Sequence, residues 1–342
     1  MTALYLWRFF VHEFQHSGRI SLGARISTLR KGFFSSSDAV YRLSGRDHTH
    51  YVSDFQIYVR ARQLNHRYRI VTWDKLIFNS LLGALLPEQQ VPIFAIVDRG
   101  KIRRLDYQIM SEKEFVDELD RREAIVIKPT TAMKGTGVTI VRRNGAGVTI
   151  NDRQSSTADL VLAICGSKRR LLVSDFVRQH DVIAGIYAET TNTIRAITMW
   201  DGDEPFIGAA ILRIGTASSR PVDNWGRGGL SAEIDLTTGS LSKAARYARA
   251  TGHLDWLAVH PDTDAPIEGI TIPNWEMVTA VLLRVARHFW YLPLAGWDAV
   301  VTAAGVKILE GNDWPGLRGI QVHRPLLRSE RVRRALKEIH LA

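Results

Sequence analysis

The chain has 342 residues, 45 of them Lys or Arg and 35 Asp or Glu, which gives a formal charge of +10 at pH 7. Apolar residues make up 45% and charged residues 23%, a globular balance that excludes an intrinsically disordered chain and a coiled coil. Cys165 is the only cysteine, so no disulfide framework and no cysteine-based zinc site can form within the chain. Apolar runs are broken by charge well before the roughly 18 residues a spanning helix needs. Arg8 and Glu13 interrupt the stretch a signal peptide would keep apolar, so a cytoplasmic location is expected. The positive excess asks for an anionic partner, with nucleotide, phosphorylated substrate, nucleic acid and lipid headgroup all open.

Residues 1–65 read as helical and basic, with Arg19, Arg25, Arg30, Lys31, Arg42 and Arg46. Leu4, Trp7, Phe10, Val11 and Phe14 recur at helical spacing; further stretches fall at 20–31 and 51–64, with loops at 35–38 and 44–45. Helices are predicted at 75–86, stopped by Pro87, and at 112–120. Another, at 275–291, has Val278, Val281, Leu282, Val285, Ala286 and Phe289 on one face. Short apolar runs predict strands at 91–97, 124–128, 137–141, 171–174, 193–199 and 206–214. A glycine-rich irregular segment spans 215–230, and a short basic helix begins near Ser329. The pattern is an alternating α and β chain of two or three lobes.

Two β-type segments flank Ala303-Ala304-Gly305, a loop with glycine where a hairpin needs a positive φ. With three residues in that loop, Thr302 pairs with Val306 and Asp298 falls opposite Glu310, Cβ atoms roughly 5 Å apart on one face. Asn312, two residues on, shares the face. Two carboxylates so close repel unless a cation or proton lies between them, and all-oxygen ligation suits Mg²⁺ or Mn²⁺. The same residues also describe a solvated strand face.

Lys128 ends a strand, and a small-residue loop with Lys134, Gly135 and Gly137 leads into the next. Glycines let backbone N–H groups approach phosphate oxygens while lysines supply charge. A glycine-bearing β-turn with exposed lysines has the same composition, and no Walker loop occurs. Arg195 lies in a strand that alternates toward an apolar face, where an unpaired guanidinium is costly. With Arg213 and the stretch from Asp223 through Asn224 and Arg227 to Gly228 and Gly229, it reads as an anion site or as structural salt bridges.

These elements follow a recognisable order: Val126-Ile127-Lys128-Pro129 with Gly135-Thr136-Gly137, Gln179-His180, Asn192-Thr193-Ile194-Arg195, and Asp223-Asn224-Trp225-Gly226. They continue with His260-Pro261, Ile272-Pro273, Gly296-Trp297-Asp298 and Glu310-Gly311-Asn312. Together they resemble the ATP-grasp superfamily, and within it the sugar-transfer-associated branch related to the alpha-L-glutamate ligases, over residues 74–316. The resemblance implies an α+β ATP-grasp fold whose two lobes grip ATP. It divides the chain into a basic helical extension (1–65), an N-terminal α/β part (66–120), a small central lobe with a glycine-rich flap (121–190) and a C-terminal lobe with the metal site (191–342). Lys128, Lys134, Gly135 and Gly137 would then contact the nucleotide, and Ser174, Asp175, Phe176 and Val177 would form the hinge that reads adenine. Asp298, Glu310 and Asn312 would hold one or two Mg²⁺ ions, or Mn²⁺. Arg213 and Arg195 would stabilise the transferring phosphoryl group, with Arg195, Asn224, Gly228 and Gly229 facing the acceptor. Two positions depart from relatives: Ser174-Asp175, where ligases often open the hinge with an acid, and Thr193-Ile194-Arg195, where glutamate ligases carry Asp-x-Arg.

The resemblance implies a carboxylate–amine ligase working through an acylphosphate, in cell-surface polysaccharide or secondary-metabolite biosynthesis. Its substrates would be a carboxylate-bearing small molecule or sugar acid and an amine. The same groups would serve a small-molecule kinase. The basic N-terminal region leaves a non-catalytic polyanion-binding protein as a third reading, with peripheral membrane contact and a homodimer both open. The histidines are read as supplying no zinc motif, His260 as a loop or packing residue, and no nucleic-acid-binding signature is seen.

Overall fold

The computed structural model describes residues 6–7, 9–11, 13, 21–43, 47–132, 135–145, 147–248 and 252–341. Two antiparallel sheets of seven strands organise them. The first is built from β1 (Ile93–Asp98), β2 (Lys101–Arg103), β3 (Ala124–Pro129), β4 (Thr139–Asn144), β5 (Gly147–Ile150), β6 (Arg153–Ser155) and β7 (Leu171–Asp175), in the order β2-β1-β7-β3-β4-β5-β6. The second takes β8 (Thr193–Asp201), β9 (Glu204–Ile214), β10 (Leu230–Ile234), β11 (Leu241–Ala248), β12 (His253–Leu257), β13 (Leu294–Thr302) and β14 (Gly305–Asn312), in the order β12-β11-β10-β9-β8-β13-β14. The main helices are α1 (Leu22–Arg30), α2 (Ser35–Tyr41), α3 (Lys75–Leu85), α4 (Glu112–Asp120), α5 (Thr157–Cys165), α6 (Trp275–His288) and α7 (Glu330–Glu338). No described helix is long and apolar enough to cross a membrane.

Alternation along the first sheet sends Ile125, Ile127, Val141 and Val173 to one face, where α4 and α5 cover them with Phe115, Leu119, Leu160 and Ile164. Helix α4 starts at a reciprocal cap: Glu114 N–H donates to the Ser111 hydroxyl at 3.3 Å, and Ser111 N–H to Glu114 Oε2 at 2.8 Å. Burying Phe115 completely contributes about 2–3 kcal/mol. The opposite face, with Val126 and Lys128, stays open.

One face of the second sheet is sealed by α3 and α6, which pack Phe78, Leu82, Val278, Leu282 and Val285 on Ala295, Trp297 and Ala299. The other face is covered at one end only. There Ile197, Met199 and Ile211 meet Ile57 and Ala61 of the N-terminal segment and Val332 and Leu336 of α7. Asn65 pins the same segment by donating Nδ2 to the carbonyls of Leu294 (2.7 Å) and Asp313 (2.6 Å).

Two local expectations are corrected. Residues 35–38, expected as a loop, form the first turns of α2. The orphan N–H groups at its start are taken by buried acids from elsewhere, Phe34 N–H by Asp54 (2.8 Å) and Ser35 N–H by Glu13 (2.9 Å). The β13–β14 loop has two residues, not three: Thr302 pairs with Gly305, Val301 with Val306 and Ala299 with Ile308. A bulge at Leu309 then shifts the register, so that Asp298 pairs with Glu310 after all. Val306 and Ile308, 3% and 1% exposed, thereby keep the core face that the three-residue loop would have denied them. Of the helix expected around Leu4–Phe14, residues 6–7, 9–11 and 13 are described and are helical; the others lie outside the described residues.

This register predicts an asymmetry between neighbours. Ile308→Ala should cost roughly 2–5 kcal/mol, and Leu309→Ala, on the cleft side of the bulge, clearly less; chemical denaturation of both variants checks it.

Candidate functional site

The open faces of the two sheets enclose a cleft of about 790 Å³. Sheet register gathers its charges. Arg195 on β8 lies beside Asp298 on β13, Thr193 beside Arg213 on β9, and Glu310 opposite Asp298, so these side chains leave one face. Arg195 grips Asp298 with two parallel bonds, Nη2 donating to Oδ2 at 2.9 Å and Nε to Oδ1. Arg213 Nη2 lies 3.2 Å from the same Oδ2 and donates to Asp223 Oδ1 at 2.9 Å. Asp223 also accepts from the backbone N–H of Thr193 (3.0 Å) and from its hydroxyl.

Asp298 is 1% exposed. Burial works against its charge, yet the two guanidiniums hold its carboxyl well below the usual range. Glu310 moves the other way: desolvation and the adjacent Asp298 charge raise its carboxyl, with the Lys75 charge opposing them. Asn312, on the same strand face, has a buried Nδ2 without a hydrogen-bond partner among the described residues. The adjacent carboxyls of Asp298 and Glu310, with the side-chain oxygen of Asn312 on the same strand face, are hard-oxygen donors of the kind that fits Mg²⁺ or Mn²⁺.

Lys128 reaches the cleft from β3. Desolvation there pushes its ammonium down to about 8, with the like charge of Lys75 adding to the shift and Glu310 opposing it. Lys75 was missed in the sequence. It is the first residue of α3, where Asp74 caps the helix by accepting from Leu76 N–H at 2.9 Å. Its Nζ donates to Ala132 O (2.6 Å) and lies 3.7 Å from Glu310 Oε2. The Asp74 cap before an amphipathic stretch was the available signal, but nothing local says that this helix start faces the cleft.

Lys134 lies outside the described residues. Gly135 lines the cleft at φ +66°, and a Cβ there would come within 2.7 Å of Val222, so the flap loop touches the loop before Asp223. Gly137 stands behind it against Pro129. Ser174, Asp175, Phe176 and Val177 line the cleft as one run, with Asp175 Oδ1 paired to Arg122 Nε at 2.7 Å. Asn224 is in the wall, whereas Gly228 and Gly229 are not. Gly228 has φ +102°, and a side chain on Gly229 would strike the Asp223 carbonyl, so these glycines shape the loop.

Gln179 and Asn192 support the strand ends: Gln179 Oε1 accepts from Asn192 N–H (2.8 Å), and Asn192 Oδ1 from Gly215 N–H (3.0 Å). His260 is fully buried, its Nε2 bonded to Gly215 O (2.8 Å) and its ring stacked on Tyr187, a packing role. One histidine reading needs correction. His12-Glu13-Phe14-Gln15-His16 does have the H-E-x-x-H spacing. Glu13, however, is spent on capping Ser35 and pairing with Arg25 (3.5 Å), which removes it as a general base; His12 and His16 lie outside the described residues.

Replacing Lys75 with Met removes the like charge near Lys128. The Lys128 ammonium should then titrate above its wild-type value of about 8, as ¹³C NMR of the lysine side chains would show.

Against known proteins, the sequence matches the family described as Sugar-transfer associated ATP-grasp over residues 58–334. No curated protein matches it. Among solved structures it is similar to the D-alanine-D-alanine ligase from Coxiella burnetii, at 15% identity over 79% of this chain and 58% of that one, TM-score 0.41. Another is D-alanyl-alanine synthetase A from Vibrio cholerae O1 biovar eltor, at 13% identity over 79% and 65%, TM-score 0.46. A third is the L-amino acid ligase from Bacillus licheniformis, at 9% identity over 73% and 44%, TM-score 0.38. The chain spans less than two thirds of the length of each. With a match that runs through both sheets and every strand of the cleft, the chain belongs to the sugar-transfer associated ATP-grasp family.

Proposed function

We propose that the protein is an ATP-dependent carboxylate–amine ligase that forms an amide through an acylphosphate, within polysaccharide or secondary-metabolite biosynthesis. The observation that carries this reading is the convergence of Lys75 and Lys128 with Arg195, Arg213, Asp298, Glu310 and Asn312 on one cleft. Lys75 and Lys128 bind phosphate oxygens of ATP, with Lys134 and the Gly135–Gly137 flap over them. The backbone of Ser174, Asp175, Phe176 and Val177 holds the base. Asp298, Glu310 and Asn312 would hold one or two Mg²⁺ ions, which when bound neutralise charge on the β- and γ-phosphates.

Arg213 and Arg195 present N–H groups to the γ-phosphoryl oxygens, and Asn224 faces the acid. An oxygen of the acid's carboxylate attacks the γ-phosphorus while the bond to the bridging oxygen breaks and ADP leaves. The amine then attacks the acyl carbon, phosphate departs with the C–O electron pair, and the amine proton passes to phosphate or water. The chain contributes position and charge stabilisation, with no protein nucleophile.

Incubation with MgATP, hydroxylamine and a panel of acids should yield hydroxamate and acid-dependent ADP. Asp298→Asn and Glu310→Gln should each lower that rate by roughly 100-fold or more. A stable phosphorylated product without hydroxamate would assign kinase chemistry instead; silence across the panel would overturn the ligase reading.

A pH dependence follows from Lys128. Above about pH 8 its ammonium is largely deprotonated in the protein alone, and a bound polyphosphate restores the proton. Nucleotide affinity should therefore fall as pH rises from 8 toward 10, by up to about tenfold per unit. Calorimetry at pH 9 in buffers of different ionisation heat should register proton uptake, and Lys128→Arg should abolish it.

A further inference from the structure

Past Asn312 the cleft continues between three parts of the chain: N-terminal residues of 34–41 and 52–62, the loop at 224–227 and the stretch 314–321. Arg318 is fixed at their junction. Its Nη2 donates to the hydroxyls of Ser36 (2.8 Å) and Ser37 (2.6 Å) on α2, while Nε and Nη1 meet no acceptor among the described residues. Ser37 in turn donates to Asp54 at 2.5 Å, and Gln321 exchanges bonds with the Val52 backbone at 2.8 and 2.9 Å. The N-terminal segment and the strand-end stretch thus form one wall.

Two indoles face this part of the cleft. Trp225 is held by Nε1 donating to Ala245 O (3.0 Å), and Trp314 lies under the Arg62 guanidinium, 3.6 Å above its ring. Donors are in excess here: Trp314 Nε1 and Asn312 Nδ2 are buried without acceptors among the described residues, and Arg227 is exposed. The carboxylates are committed. Asp54 accepts from Phe34 N–H and Ser37, Asp223 from Arg213 and Thr193, and Asp313 from Thr72 at 3.0 Å. Such a wall attracts an anion with acceptor oxygens and offers little to an α-ammonium.

We propose that this half of the cleft, completed by the N-terminal extension, binds the acid substrate as a hydroxylated ring bearing a carboxylate, of the uronic-acid type. Arg318 offers the carboxylate its Nε–H and Nη1–H groups singly, and the indoles of Trp225 and Trp314 border the apolar face of the ring. The assignment rests on the ligase reading for the identity of the bound acid as substrate. It makes Ser36, Asp54 and Arg62 of the N-terminal extension part of the binding site.

The test is calorimetric titration of the full chain, saturated with Mg²⁺ and a non-hydrolysable ATP analogue. The probes are D-glucuronate and D-galacturonate, their neutral parent sugars, L-glutamate and L-alanine. A uronate should bind saturably and at least roughly tenfold more tightly than its neutral parent. Arg318→Gln should weaken it by roughly 10- to 100-fold while nucleotide affinity stays within about twofold. Arg318→Lys, which keeps the charge and loses the planar guanidinium, should fall between and carries the test if Arg318→Gln does not fold. Absence of uronate binding, preference for the amino acids, or undiminished binding in the variants overturns the proposal. The ligase reading fails separately, if a bound uronate elicits neither ADP release nor hydroxamate.

Discussion

A carboxylate buried in the middle of a sheet keeps its charge only when that charge is answered nearby, and Asp298 is answered by both Arg195 and Arg213. The requirement propagates. Arg213 in turn needs Asp223, which brings the 221–227 loop over the sheet and ties it to Thr193. Glu310, with Lys75 Nζ 3.7 Å away, is pushed upward by burial and by the Asp298 charge. The two guanidiniums that neutralise Asp298 are also the two that the proposed reaction needs at the phosphoryl group. Nucleotide binding is then a re-partnering of charges already assembled.

The positive excess of the chain separates into parts with different physics. In the cleft, Lys75, Lys128 and six arginines face six carboxylates, which leaves a positive excess that favours anions. At the C-terminal end, Arg331 and Arg334 share Asp201, Arg324 pairs with Glu233 and Arg333 with Glu330. Exposed pairs of this kind are worth about 0–1 kcal/mol each and serve solubility more than stability. The N-terminal segment belongs with the cleft, because Ser36, Ser37 and Asp54 fix one of its walls.

Much of the site could be read in the sequence, since the spacing between Asp298, Glu310 and Asn312 and the strand-ending position of Lys128 are local facts. The hairpin shows where local reading stops. Val306 and Ile308 demand one register and Glu310 and Asn312 another, and the chain satisfies both with one extra residue at Leu309. A fixed register counted from the turn cannot anticipate that compromise. Gly228 and Gly229 look like ligand-contacting glycines in composition but serve the turn that presents Asn224. The H-E-x-x-H spacing near the N-terminus has its glutamate diverted to cap α2.

By itself, the sequence determined eight of the fourteen described strands, the amphipathic helices α3, α4 and α6, and the order of lysine, arginine and acidic elements, but not β2, β5, β6, β10, β11 and β12. Periodicity and spacing depend only on neighbours along the chain. Tertiary structure alone decided that Lys75 reaches Glu310, that buried acids turn a serine run into α2, and that Arg318 is held by Ser36 and Ser37 some 280 residues away. Each of these joins groups distant in sequence. Each forms because a buried charge or orphan N–H must find its partner wherever the packing of the two sheets brings one.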